Sequence, residues 1–181
     1  MQACLIQLGL ERDLITARTL DPSRVLLKKI DTHVEEAFDF VLIDCPPSLG
    51  LLTVNSLAAA DSVLIPVQCE YYALEGLSAL LAMVQQIKDH RNPRLEMERI
   101  VRTMHDPRNN LDNQVSAQLI QHFGDKVFRT MIPRNVRVAE APSHGLPVML
   151  YDKASRGAIS YMALASEMAR RHQTPTVPTP A

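Results

Sequence analysis

An aspartate at position 44 ends an unbroken apolar run, Phe-Val-Leu-Ile, and is followed by Cys-Pro-Pro-Ser-Leu-Gly. A carboxylate at the carboxyl end of a buried strand is a hard oxygen ligand suited to Mg²⁺, which keeps several waters and accepts one or two protein carboxylates. Pro46 and Pro47 restrict the path of the backbone beyond it. Residues 38–50 thus have the layout of a magnesium–nucleotide switch. The usual companion is a glycine-rich loop of the form G-x-x-x-x-G-K-[ST]. No such loop occurs in the 181 residues, and none of the six glycines is followed by lysine. The chain carries part of a nucleotide switch without the phosphate-cradling part.

The elements that must position Asp44 follow from periodicity. Val25, Leu26, Ile30, Val34 and Ala37 recur at three- and four-residue steps and predict a helix over residues 23–37, with Asp21 or Ser23 as its N-cap. Residues 40–43 predict a strand whose consecutive apolar side chains suit a parallel sheet covered on both faces. Residues 51–60 are helix-compatible and 63–67 read as a second buried strand. Leu74, Leu77, Leu80, Leu81, Val84 and Ile87 predict a long helix over 73–90, stopped by Asn92-Pro93. Further strands are expected over 100–104 and 127–132, a helix over 115–123 with Gly124 as its C-terminal cap, and a last helix over 155–171. This alternation argues for right-handed crossovers and a doubly wound, mostly parallel α/β sheet with helices on both faces. Residues 1–172 are expected to form a single domain and the proline-rich 173–181 a disordered tail.

Composition is that of an ordinary globular chain, with 46% hydrophobic and 22% charged residues. Nineteen basic and twenty acidic side chains leave a formal charge of −1, so affinity for nucleic acid would depend on local clusters rather than net charge. No run approaches the roughly 18 apolar residues of a membrane span, and the start lacks a secretory layout, so the cytoplasm is the expected compartment. Cys4, Cys45 and Cys69 lack zinc-ligand spacing and read as packed thiols. The six histidines are likewise scattered. Met97, Met104, Met131, Met149, Met162 and Met168 read as core filler.

Three stretches, Phe-Val-Leu-Ile-Asp-Cys-Pro-Pro-Ser-Leu-Gly (40–50), Pro-Val-Gln-Cys-Glu-Tyr-Tyr-Ala-Leu-Glu-Gly (66–76) and Ile-Pro-Arg-Asn-Val-Arg-Val-Ala-Glu-Ala-Pro-Ser-His-Gly (132–145), resemble the ParA/Soj chromosome- and plasmid-partitioning ATPases. The similarity is firm over residues 38–171 and looser over 11–37. Family members begin with a deviant P-loop that has no counterpart here, so the resemblance implies a deviant-Walker P-loop NTPase fold truncated at its N-terminus.

The resemblance implies that Asp44 is the catalytic and magnesium-binding carboxylate, that Glu70 lies near the nucleotide and dimer interface, and that Pro133, Arg134 and Asn135 lie against the adenine. It assigns nonspecific DNA binding to Arg108 and Arg137, with Arg102 and Arg156 as weaker contributors. Lys126, Arg129, Arg134 and Arg137 form a locally basic stretch, suited to reading backbone charge rather than base sequence. MgATP is the implied cofactor. The implied partners are DNA, a ParB-like protein and a second ParA-type chain, at the nucleoid and without a membrane.

With the phosphate cradle absent, the chain alone is expected to lack ATPase activity. Two other readings stand beside partitioning: a non-catalytic DNA-binding or dimerisation module left as a gene remnant, and a MinD-like cell-division ATPase. The strands ending near Asp44 and Val67 would have unpaired edges, prone to self-association, unless residues 1–22 or another chain pair with them.

Overall fold

The computed structural model describes residues 3–7, 38–45 and 50–172. The helix expected over 23–37, the Pro46-Pro47 turn and the tail 173–181 lie outside the described residues. Contacts divide the chain into two compact units, one made of Met1–Val63 with Ser78–Met97, the other of Leu64–Leu77 with Glu98–Ala181.

In the first unit, β1 (Ala3–Gln7) lies parallel to β2 (Phe40–Asp44), with Gln7 opposite Asp44. A segment that matches nothing in the resemblance therefore pairs with the strand that carries the key carboxylate. Among the described residues β1 and β2 pair as two parallel strands, and Leu42 of β2 is 45% exposed.

Helix α1 (Leu51–Ala59) follows, and Asn92 closes it. The buried Asn92 Nδ2 donates to the carbonyl oxygens of Leu57 and Ala60 at 3.1 and 2.7 Å, satisfying groups that a helix end leaves without partners. Asn92 also stops α2 (Ala73–His90), whose bounds match the expected helix. Leu57, Val84, Ile87 and the fully enclosed Leu95 make the core of this unit, with Val54, Ala60, Val63, Leu80 and Met83 packed against them.

Strands β3 (Ser62–Gln68) and β4 (Glu96–Thr103) pair in a second sheet. Beyond them the second unit holds α3 (Asn110–Phe123), α4 (Val136–Glu140), α5 (Val148–Tyr151) and α6 (Arg156–His172). Helix α3 starts five residues before the expected 115, because Asn109 Oδ1 accepts from the Leu111 amide and caps it. Gly124 caps its C-terminus at φ +49°, as expected. The short helices α4 and α5 were not expected from periodicity.

The strand expected over 127–132 is a correction. Two isolated parallel bridges, Ile100 with Val127 and His105 with Pro133, tie this segment to the end of β4, and the Phe128 amide donates to Ile100 O, the Ile132 amide to Arg102 O and the His105 amide to Ile132 O at 2.9, 2.8 and 3.1 Å. Over residues 128–130 side chains supply further partners. Arg102 Nη2 donates to the Phe128 and Arg129 carbonyls at 2.9 and 3.2 Å, and the amides of Arg129 and Thr130 donate to the Glu167 carboxylate at 3.1 and 3.0 Å. One buried cation and one buried anion thus satisfy the backbone groups of residues 128–130 that the strand pairing does not reach.

Val101, Phe128, Ile132 and Leu164 form one core cluster of this unit, and Ala141, Val148 and Ala158 another. Met168 and Met149 pack against these clusters. Met104, Met131 and Met162 are exposed instead, contrary to the expectation of core filler. The alternation of strands and helices, with parallel pairing in the bridges and in β1–β2, is the α/β architecture expected.

Candidate functional site

Asp44 stands exposed at the last position of β2, as a magnesium-binding carboxylate would require. Next to it Cys45 is partly buried, and its thiol donates to the Ile43 carbonyl at 3.7 Å. Among the described residues no cluster of three or more His, Cys, Asp or Glu is disposed to hold a metal. Phosphates need backbone amides of a glycine-rich loop and a lysine, and the sequence offers neither in that arrangement. The residues present therefore fit one ligand of a magnesium ion and do not fit a complete MgATP site.

After β3 the chain turns tightly. The Glu70 amide donates to Gln68 O at 2.8 Å and the Ala73 amide to Glu70 O at 3.0 Å, leading into α2 with Glu75 in its first turn. Glu70 is exposed. Tyr71 and Tyr72, 73% and 72% exposed, meet edge to face with centroids 5.0 Å apart. Cys69, just before them, is enclosed, and burial pushes its thiol up despite the nearby Arg102 charge.

At the carboxyl end of β4, Met104 takes a left-handed conformation with φ +51°, uncommon for a residue other than glycine and characteristic of constrained sites. Buried His105 follows and accepts at its carbonyl oxygen from the Arg134 amide at 3.0 Å. This bridge brings the 106–108 turn and the 133–135 turn together. Arg108 Nε and Nη2 clasp the Asp106 carboxylate at 2.9 and 2.8 Å. Those hydrogen bonds, with that of the Arg108 amide and the charges of Arg108 and Arg134, hold the Asp106 carboxyl well below the usual carboxylate range. Asn135 Oδ1 accepts from the Val138 amide at 3.3 Å and starts α4. The same contact closes on α6, where a Cβ added to buried Gly157 would run into Val138 Cγ2.

The four arginines expected to meet DNA fall into different situations. Arg108 is exposed and paired with Asp106; Arg137 is half-exposed and held by Glu140 at 2.8 Å and Asp152 at 3.4 Å. Arg156 is exposed in the first turn of α6. Arg102 is a correction: it is 4% exposed, and it donates to Ser116 Oγ at 2.8 Å as well as to the two carbonyls, so no phosphate reaches it. Burial lowers its pKa, against the opposing charges of Cys69 and Glu167. Sequence reasoning also passed over Glu167. The available signal was a charge lodged inside each apolar pattern, Arg102 after Ile100 and Val101, Glu167 between Leu164 and Met168.

Comparison with known proteins gives a consistent picture. The family described as an AAA domain matches residues 6–97. The chain is 56% identical over 145 residues to the sporulation initiation inhibitor protein Soj of Bacillus subtilis, covering 80% of this chain and 57% of Soj. It is 52% identical over 136 residues to the chromosome partitioning protein ParA of Caulobacter vibrioides, covering 75% and 51%. The chain thus spans about half the length of the curated relatives it matches. Among solved structures, cobyrinic acid a,c-diamide synthase of Mycobacterium smegmatis with an ATP analogue and magnesium superposes with a TM-score of 0.70 at 28% identity, covering 96% of this chain and 63% of that one. The cell division ATPase MinD of Pyrococcus furiosus gives 0.67 at 21% identity, covering 82% and 59%, a likeness of fold alone. The chain belongs to the AAA domain family, as a ParA/Soj-type member of it.

Proposed function

We propose that this chain acts in chromosome or plasmid partitioning as a ParA-type protein, in the cytoplasm and on the nucleoid. The observation that carries this reading is the 52–56% identity with relatives named as partitioning proteins. Its working surface toward DNA is the exposed basic stretch of Lys126, Arg129, Arg134 and Arg137, with Arg108 and Arg156. Contacts from such side chains go to backbone phosphates and carry no base sequence. A second ParA-type chain and a ParB-like protein are the proposed protein partners, and Glu70 with the exposed Tyr71 and Tyr72 is the proposed dimer-side turn.

In a partitioning cycle MgATP is the cofactor, which supplies the energy and the two states. Asp44 is the residue of this chain that would hold its magnesium ion, and residues 133–135 would line the adenine. These 181 residues do not provide the cradle for the phosphates, so the chain alone is proposed to bind DNA without turning over ATP. The second reading is a non-catalytic DNA-binding module of the same fold.

Binding to a duplex of arbitrary sequence tests the reading. Retention at low salt that weakens steeply as salt is raised is expected, with equal affinity for unrelated sequences. Dependence on added ATP separates the two readings, since a stand-alone module shifts DNA equally with and without it. No retention of DNA at low salt under either condition contradicts both.

A further inference from the structure

In the second unit, the last turns of α6 and the irregular 128–130 segment enclose an open pocket of about 380 Å³ lined by Arg129, Thr130, Glu167, Arg170 and Arg171. Its single carboxylate is already committed. Glu167, itself buried, accepts from the Arg129 and Thr130 amides, and Arg171 Nη2 lies 3.4 Å from it. Arg171 and Arg99 also lie over the Phe128 ring, at 5.8 and 5.9 Å from its centroid. Arg99 Nη1 is buried and has no hydrogen-bond partner among the described residues. The guanidinium groups of Arg129 and Arg170 are exposed, and no carboxylate pairs with them among the described residues. The carbonyl end of α6 offsets part of the charge on Arg170 and Arg171, yet the cations still outnumber the acid.

We propose that Arg129, Arg170 and Arg171 form a phosphate-binding site, distinct from the nucleotide switch at Asp44 and from the Asp106–Arg108 turn. Forked guanidinium donors match phosphate oxygens in pairs, and such charge-assisted hydrogen bonds are among the stronger ones. A backbone phosphate of nucleic acid and a small free phosphate compound share this chemistry. The inference does not rest on the partitioning role.

The test is titration of the full chain with inorganic pyrophosphate and, separately, with a short duplex, in wild type and in an Arg129→Gln/Arg170→Gln double variant. Arg171 is left intact because it packs on Phe128. Pyrophosphate binding that weakens about tenfold or more in the double variant, at an unchanged unfolding midpoint, is expected. A Lys153→Ala variant, exposed and outside the pocket, should bind pyrophosphate as wild type does. A parallel loss of duplex affinity larger than that of Arg129→Gln alone identifies backbone phosphate as the source, and loss with pyrophosphate alone identifies a free phosphate compound. Wild type that binds no pyrophosphate, or a double variant that binds it undiminished, overturns the proposal. Failure of duplex binding alone would count against the partitioning reading and leave the site standing.

Discussion

Arg102 Nη2 lies 2.9 Å from the carbonyl oxygen of Phe128, so a side chain that sequence reasoning assigned to a DNA surface holds together the backbone leading to the 133–135 turn. Replacing it by methionine keeps much of the bulk and removes every donor. Phe128 O, Arg129 O and Ser116 Oγ then lose partners in a place that water does not readily reach. Arg102→Met is expected to destabilise the chain by roughly 2–4 kcal/mol in denaturant unfolding. A change within error would mean that these hydrogen bonds are replaced at no cost.

Glu167 supplies the acceptor half of the same arrangement and makes stability depend on pH. Burial alone would raise its carboxyl, but the amide hydrogen bonds of Thr130 and Arg129 and the charge of Arg99 outweigh that, and the net position is below the ordinary 4.5. A depressed carboxyl contributes stability in full above its unfolded value and loses it as pH falls through the lower folded value. Wild type should therefore lose stability below about pH 4.5 more steeply than Glu167→Gln. Parallel profiles for the two proteins between pH 6 and pH 3, on the order of measurement error apart in slope, would remove Glu167 from this role.

Much of the fold was legible because its signals are local. Helix α2 shows its apolar spacing and its stop at Asn92-Pro93 in consecutive residues, and β2 and β3 are unbroken apolar runs. Residues 127–132 look like a strand for the same reason. The partners of the backbone at 128–130 are Arg102 and Glu167, distant in sequence, and no window of neighbouring residues reveals that pairing. Asp44 stands at the end of the strand where the residue order puts it, and Asn135 opens α4 as its cap. The carboxylates that tie down Arg108 and Arg137 depend on turns whose geometry the residue order alone does not convey.

Gly157 is a packing requirement of the contact between α4 and α6. A methyl group there meets Val138 Cγ2, with Asn135 Oδ1 at 3.3 Å, so the gain in helix propensity is outweighed by strain. Gly157→Ala is expected to lower stability by about 1–3 kcal/mol. Adding Val138→Ala should recover part of that loss, a coupling that a double-mutant cycle measures directly. Strict additivity of the two substitutions would contradict the contact.

Arg108 reaches a phosphate only in competition with Asp106. Neutralising the competitor should free the cation: Asp106→Asn is expected to tighten binding to an arbitrary duplex by about two- to fivefold at low salt, with the gain fading as salt rises. Arg108→Ala should reverse that gain. If Asp106→Asn leaves duplex affinity unchanged, Arg108 is not part of the DNA surface.

ATP turnover by the purified 181-residue chain, with Mg²⁺ and duplex DNA present, compared with its Asp44→Ala variant, tests most directly whether the chain holds a magnesium carboxylate without a phosphate cradle. The expected result is a rate at the buffer background, the same in both proteins. A rate clearly above background that disappears in Asp44→Ala would contradict it.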